Sequence, residues 1–166
     1  MNAAHFHLLV NHIPIIFPIT GAIVLVTGLI VKSEPIKRTS YLLFIIGGIS
    51  TMAAMYTGEG AQELLERMLV ADEDYMQKHK AASRQFSFAS YALGWLSALG
   101  LWASMKQKSF TKFVEIGILV AFIFAVFLGR AAGTTGGEIR HTEIRTTTDG
   151  SNPVFNENSS DEENED

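Results

Sequence analysis

The sequence contains no cysteine. That excludes a disulfide framework, thiolate-held iron–sulfur clusters, covalently attached c-type haem and thiol redox chemistry, so a metal bound here must use histidine, carboxylate, methionine or backbone. Charge is also lacking, but only locally: acidic and basic residues are nearly absent from four stretches, 13–31, 41–57, 86–103 and 113–129. Each approaches the ~20 apolar residues needed to cross a ~30 Å hydrocarbon core, and each is continuously apolar rather than alternating, which predicts helices and not a β-barrel. No Asp, Glu, Lys or Arg is read at mid-span, which argues against a proton pump or a carrier of charged substrates. Neither a Ser/His/Asp arrangement nor an HExxH pattern is visible, so electron transfer or a structural role is expected ahead of catalysis. The first residues lack a cationic segment and a small-residue cleavage site, so the first span is expected to stay in the mature protein.

What charge there is segregates. From Glu143 to Asp166 the sole cation is Arg145, and the chain ends Asp161-Glu162-Glu163-Asn164-Glu165-Asp166. A segment so polar cannot bury enough apolar surface to fold, so residues 146–166 are predicted to be a disordered acidic tail on an all-α, integral membrane four-helix bundle formed by residues 1–145. The short links Lys32-Ser33-Glu34-Pro35-Ile36-Lys37-Arg38 and Lys106-Gln107-Lys108 are cationic, whereas the long middle link carries more acid than base. By the positive-inside rule the short links face the cytoplasm, and both termini and the long link face the periplasm of a bacterial inner membrane. In the long link, Ala61, Leu64, Leu65, Met68 and Leu69 recur at helical spacing opposite Glu59, Glu63, Glu66 and Arg67, which predicts an amphipathic helix lying on the membrane surface or capping the bundle. Asp72 reads as an N-cap for a helix running on into the third span. Gly133, Gly136 and Gly137 are expected to end the fourth helix. No internal repeat is evident, although two hairpins of similar size leave room for a diverged one.

All five histidines fall at one end of such a bundle: His5, His7 and His12 before or at the first span, His79 before the third and His141 after the fourth. Imidazole is the commonest protein ligand of transition metals and of haem iron. His12 and His79 are the favoured haem pair, with His7 or His141 as the competing ligand; Arg84 and Arg130 are placed to meet propionates through bidentate guanidinium bonds. A second expectation is a non-haem zinc, iron or copper site of His12, Glu59, His79 and His141. A third is a cofactor-free assembly subunit, its histidines acting as interfacial anchors. Glu138 and His141 have the spacing of one half of a carboxylate-bridged di-iron site, but no second copy exists. The expected partners are the bilayer and a periplasmic redox or complex protein, and no nucleic acid.

The passages His7-Leu8-Leu9-Val10-Asn11-His12-Ile13-Pro14-Ile15, Tyr56-Thr57-Gly58-Glu59-Gly60-Ala61, His79-Lys80-Ala81-Ala82 and Gly136-Gly137-Glu138-Ile139-Arg140-His141 resemble the motifs of a widespread, largely uncharacterised family of small four-helix bacterial membrane proteins. The resemblance covers residues 7–144. It implies a b-type cytochrome or redox-associated membrane subunit. Ile13 stands where that family usually has an aromatic, and His141 follows the Gly-Gly-Glu-Ile segment without the usual Tyr-containing spacer.

Overall fold

The computed structural model describes residues 3–67 and 73–141. Every element among them is helical: α1 (Ala3–Val10), α2 (Ile13–Ile30), α3 (Glu34–Arg67), α4 (Glu73–Met105) and α5 (Thr111–Arg140). Four helical segments, His5–Ile30, Glu34–Leu64, Glu73–Met105 and Thr111–Ile139, are long and apolar enough to cross a membrane. Three of them contain an expected span and extend past it, and the first covers the span 13–31 up to Ile30.

Local chemistry explains the breaks. Pro14 sits in the first turn of α2, where its missing N–H is no loss. The preceding residues Asn11 and His12 form a turn between α1 and α2, in which the His12 carbonyl accepts from the Ile15 and Ile16 N–H groups. The two tight turns, α2 to α3 and α4 to α5, are built alike. Lys32 (φ 52°) and Gln107 (φ 50°) take the left-handed conformation. Ser33 N–H then bonds to the Gly28 carbonyl and Lys108 N–H to the Ala103 carbonyl, both at 2.9 Å, closing a Schellman motif at each helix end.

Two expectations change. The amphipathic segment of the long link is not a separate surface helix: through Arg67 it is the continuation of α3, with the Glu63 to Arg67 pair at 2.6 Å on its exposed side. Gly133, Gly136 and Gly137 do not end the last helix, which runs on to Arg140. Glycine in a helix costs only about 1 kcal/mol, and tertiary contacts at Gly136, described below, offset it. Asp72 and the tail 146–166 lie outside the described residues.

Packing is sequential, α2 on α3, α3 on α4 and α4 on α5, with α1 on α3, while α2 and α5 scarcely touch. The short loops therefore share one end of the bundle, and α1 and the start of α4 share the other. The buried core is made from Leu25, Tyr41, Phe44, Leu93 and Ile118, together with small and polar residues such as Ala89, Ser40, Thr51, Ser90 and Ser97. Its large apolar side chains are mostly turned outward: Ile30, Trp95, Phe113 and Phe127 are each more than 70% exposed. α3 and α4 approach closely at Gly48 and Gly94, where a Cβ on Gly48 would stand 3.3 Å from the Gly94 Cα.

Candidate functional site

At the end shared by α1 and the start of α4, labelled outer with the end of the short loops labelled inner, two imidazoles are held in the same way. His7, on α1, is half-buried against α3: its Nδ1 lies 3.0 Å from Thr57 Oγ1, the Ala54 carbonyl is a further partner, and its ring covers Gly58, where a Cβ would come within 3.3 Å of Cε1. His79, on α4, is half-buried against α5: its Nδ1 lies 3.1 Å from the Ala132 carbonyl and 3.2 Å from Thr135 Oγ1, and its ring covers Gly136, where a Cβ would come within 3.0 Å of Cε1. Each threonine in turn donates back into its own helix, Thr57 to Ala53 O and Thr135 to Ala131 O.

These bonds determine the tautomer. A carbonyl only accepts, and a threonine whose hydroxyl proton is already given away can only accept as well. Nδ1 of both rings therefore carries the proton and donates it. Nε2 is left with its lone pair, the form in which imidazole binds a metal, and the Nδ1 bond is the outer support that ligating histidines commonly have. At His79 the Ser83 hydroxyl stands 3.3 Å from Nε2. One helical turn after His7, Asn11 buries its Oδ1 without a hydrogen-bond partner among the described residues.

The correspondence between the two clasps extends through the molecule. Ala54, Thr57 and Gly58 are matched 78 positions later by Ala132, Thr135 and Gly136 on α5, and His7 and Gly28 are matched 72 positions later by His79 and Gly100 on α4. The same 78-residue offset pairs Phe44 with Phe122, whose ring centroids are 5.9 Å apart, and Lys37 with Glu115, bonded at 2.7 Å. Matched residues that touch each other mark an axis of approximate two-fold symmetry, passing between Lys37 and Glu115 at the inner end and between the two phenylalanines mid-bundle. At the outer end the matched pair is His7 and His79. The described residues thus form two hairpins related by this approximate two-fold axis.

The other expected ligands are placed differently. His12 is exposed at the start of α2 and makes no capping bond. Glu59, Arg84 and Arg130 are exposed, and so is His141, which caps the end of α5 through its backbone N–H to Gly137 O. Among the described residues no three His, Asp or Glu side chains converge as a metal-holding group.

The inner end holds a network that the sequence reading missed. Lys37 bonds Glu115 and Glu34, the Tyr41 hydroxyl donates to Glu115 at 3.1 Å, and Arg38 and Glu34 both meet Ser104. Glu115 is 6% and Lys37 9% exposed, so the pair is buried. It ties α3, α4 and α5 together beneath the short loops. No protein-family model matches the chain, and no curated protein or solved structure matches it.

Proposed function

We propose that this protein is a multi-pass protein of a bacterial inner membrane that binds one b-type haem near its periplasmic face and serves electron transfer. For the membrane part, the support is the inverted surface: a belt of Ile, Phe and Trp faces outward while Ser, Thr and a salt bridge are buried, the distribution that suits a hydrocarbon surround. The cationic short links favour the orientation with α1 and both termini outside.

For the haem part, one observation carries the reading: two imidazoles, His7 and His79, matched across the symmetry axis and each locked as the Nδ1–H tautomer, with no third protein ligand beside them among the described residues. A bare zinc site takes three or four protein ligands, whereas haem iron, already held by the porphyrin, takes two. Two imidazoles with the Nε2 lone pair available are the donor set that haem iron takes. His7 replaces His12 as the partner of His79, because His12 lacks the burial and the Nδ1 support. Haem, when bound, supplies one-electron chemistry. Thr57 and Thr135 hold the rings in orientation, Gly58 and Gly136 give them room, and Arg84, on the helix that carries His79, offers its guanidinium to a carboxylate.

The test is the absorption spectrum of the full chain, purified after expression with ample haem. A Soret band is expected, and it should be lost in both His7→Ala and His79→Ala but retained in His12→Ala. Folded protein without a Soret band overturns the reading. Stoichiometric metal without porphyrin absorbance would point to a non-haem site, and folded protein with neither would leave the assembly role.

A further inference from the structure

Besides the turn between α1 and α2, which has no counterpart in the unbroken α4, the approximate symmetry is broken at a cavity. Gly48 and Gly94 let α3 and α4 meet closely; the matching positions on the opposite side of the axis, 78 residues after Gly48 and 72 before Gly94, are Val126 and Ala22. With side chains there instead of hydrogens, α5 and α2 stand apart. The gap between them is a cleft of about 290 Å³, near the lower limit of small-molecule pockets. Pro14, Pro18 and Ile19 line it from α2, Phe86 from α4, and Val126 and Gly129 from α5. The Ser90 hydroxyl, which also borders it, is already bonded to Thr51 at 2.7 Å. The cleft therefore asks for nothing polar along its length.

Its rim differs. Arg130 is the one charged residue lining the cleft; it is exposed, and no hydrogen bond or ion pair to it is found among the described residues. Its symmetry counterpart, 78 residues earlier, is Met52, so the cation occurs only on the side that has the cleft. Arg130 lies five residues before Thr135, about 8 Å along α5 from the His79 clasp at 1.5 Å per residue, which puts it towards the outer boundary of the bundle. An apolar slot ending in a guanidinium at that level complements a molecule with a long methylene chain and an anionic phosphate head.

We propose that the cleft between α2 and α5 holds one acyl chain of an anionic phospholipid whose phosphate is bound by Arg130. This rests on the membrane part of the reading above and is independent of the haem part. Native mass spectrometry of the full chain, equilibrated with phosphatidylglycerol or phosphatidylcholine in a delipidating detergent, tests it. The wild type should retain one phosphatidylglycerol, with a preference over phosphatidylcholine of about fivefold, the factor that about 1 kcal/mol from an exposed ion pair gives. Arg130→Gln should bring that preference close to one. Val126→Phe, which fills the slot without touching Arg130, should lower retention of both lipids at least fivefold. Both substitutions are on exposed positions, and an unchanged helical spectrum verifies the fold of each. No lipid preference in the wild type, an unchanged preference in Arg130→Gln, or full retention in Val126→Phe would overturn the proposal. Release of the chain from carbonate-washed membranes would instead show failure of the membrane reading itself.

Discussion

At the residue scale the two histidine clasps differ in tightness, and the difference is measurable. A methyl group on Gly136 would stand 3.0 Å from His79 Cε1 and one on Gly58 3.3 Å from His7 Cε1. In both cases the ring must give by a few tenths of an ångström, and by more at Gly136. Gly136→Ala is therefore expected to shift the Soret maximum and weaken haem retention more than Gly58→Ala does, and haem titration of the purified variants checks the order. Thr57→Val and Thr135→Val keep side-chain shape but remove the hydroxyl that receives the Nδ1 proton; both proteins should stay folded, with altered haem spectra and a change in midpoint potential. Unchanged spectra and potential would mean that the hydroxyls only pack. Little of this was legible in the sequence. His7 and His12 stand in the same motif, and spacing alone cannot say which ring is buried. The deciding partners, Thr57 and Thr135, are 50 and 56 residues away from their histidines.

At the scale of elements, hydropathy located the four helices that are long and apolar enough to cross a membrane, because a continuous apolar run has few alternatives in a chain of this kind. Their ends were less legible. α3 and α5 carry on past the apolar stretches because polar residues and glycines still pack at the outer mouth. The turns hold the clearest prediction at this scale. Lys32 and Gln107 occupy a left-handed conformation that costs an L-residue with a Cβ roughly 1 kcal/mol and costs glycine almost nothing. Lys32→Gly and Gln107→Gly should each raise stability by about 1 kcal/mol, seen as higher thermal midpoints in detergent. The two effects should add, since the turns are separate. A lower midpoint for either would show that the lost side chain was itself holding the turn, as the Lys108 ammonium, 5.5 Å above the Trp102 ring, illustrates nearby.

At the scale of the whole molecule, the sequence left room for two related hairpins but did not establish them, because few of the matched positions are identical. Lys37 corresponds to Glu115, Pro18 to Ser90 and Asn11 to Ser83. Only contact across the axis reveals the relation. Glu115 itself passed unnoticed because it stands three residues inside an apolar run, which reads the same with or without one carboxylate. Its burial makes the inner end the place where the two hairpins are locked together. Removing one member of a buried pair leaves a desolvated charge, which costs about 3–5 kcal/mol when nothing else meets it. The two members are not equivalent here: without Glu115, Lys37 still has Glu34, but without Lys37, Glu115 keeps only the Tyr41 hydroxyl among the partners described. Lys37→Met should therefore destabilise the protein in that range and Glu115→Leu by clearly less. The double variant should recover much of the loss, because two apolar side chains replace a pair whose attraction was largely offset by its desolvation. Thermal unfolding of the three proteins in one detergent decides the order. Equal losses for the two single variants would mean that Glu34 does not hold Lys37 when Glu115 is gone, and that the lock depends on the pair across the axis alone.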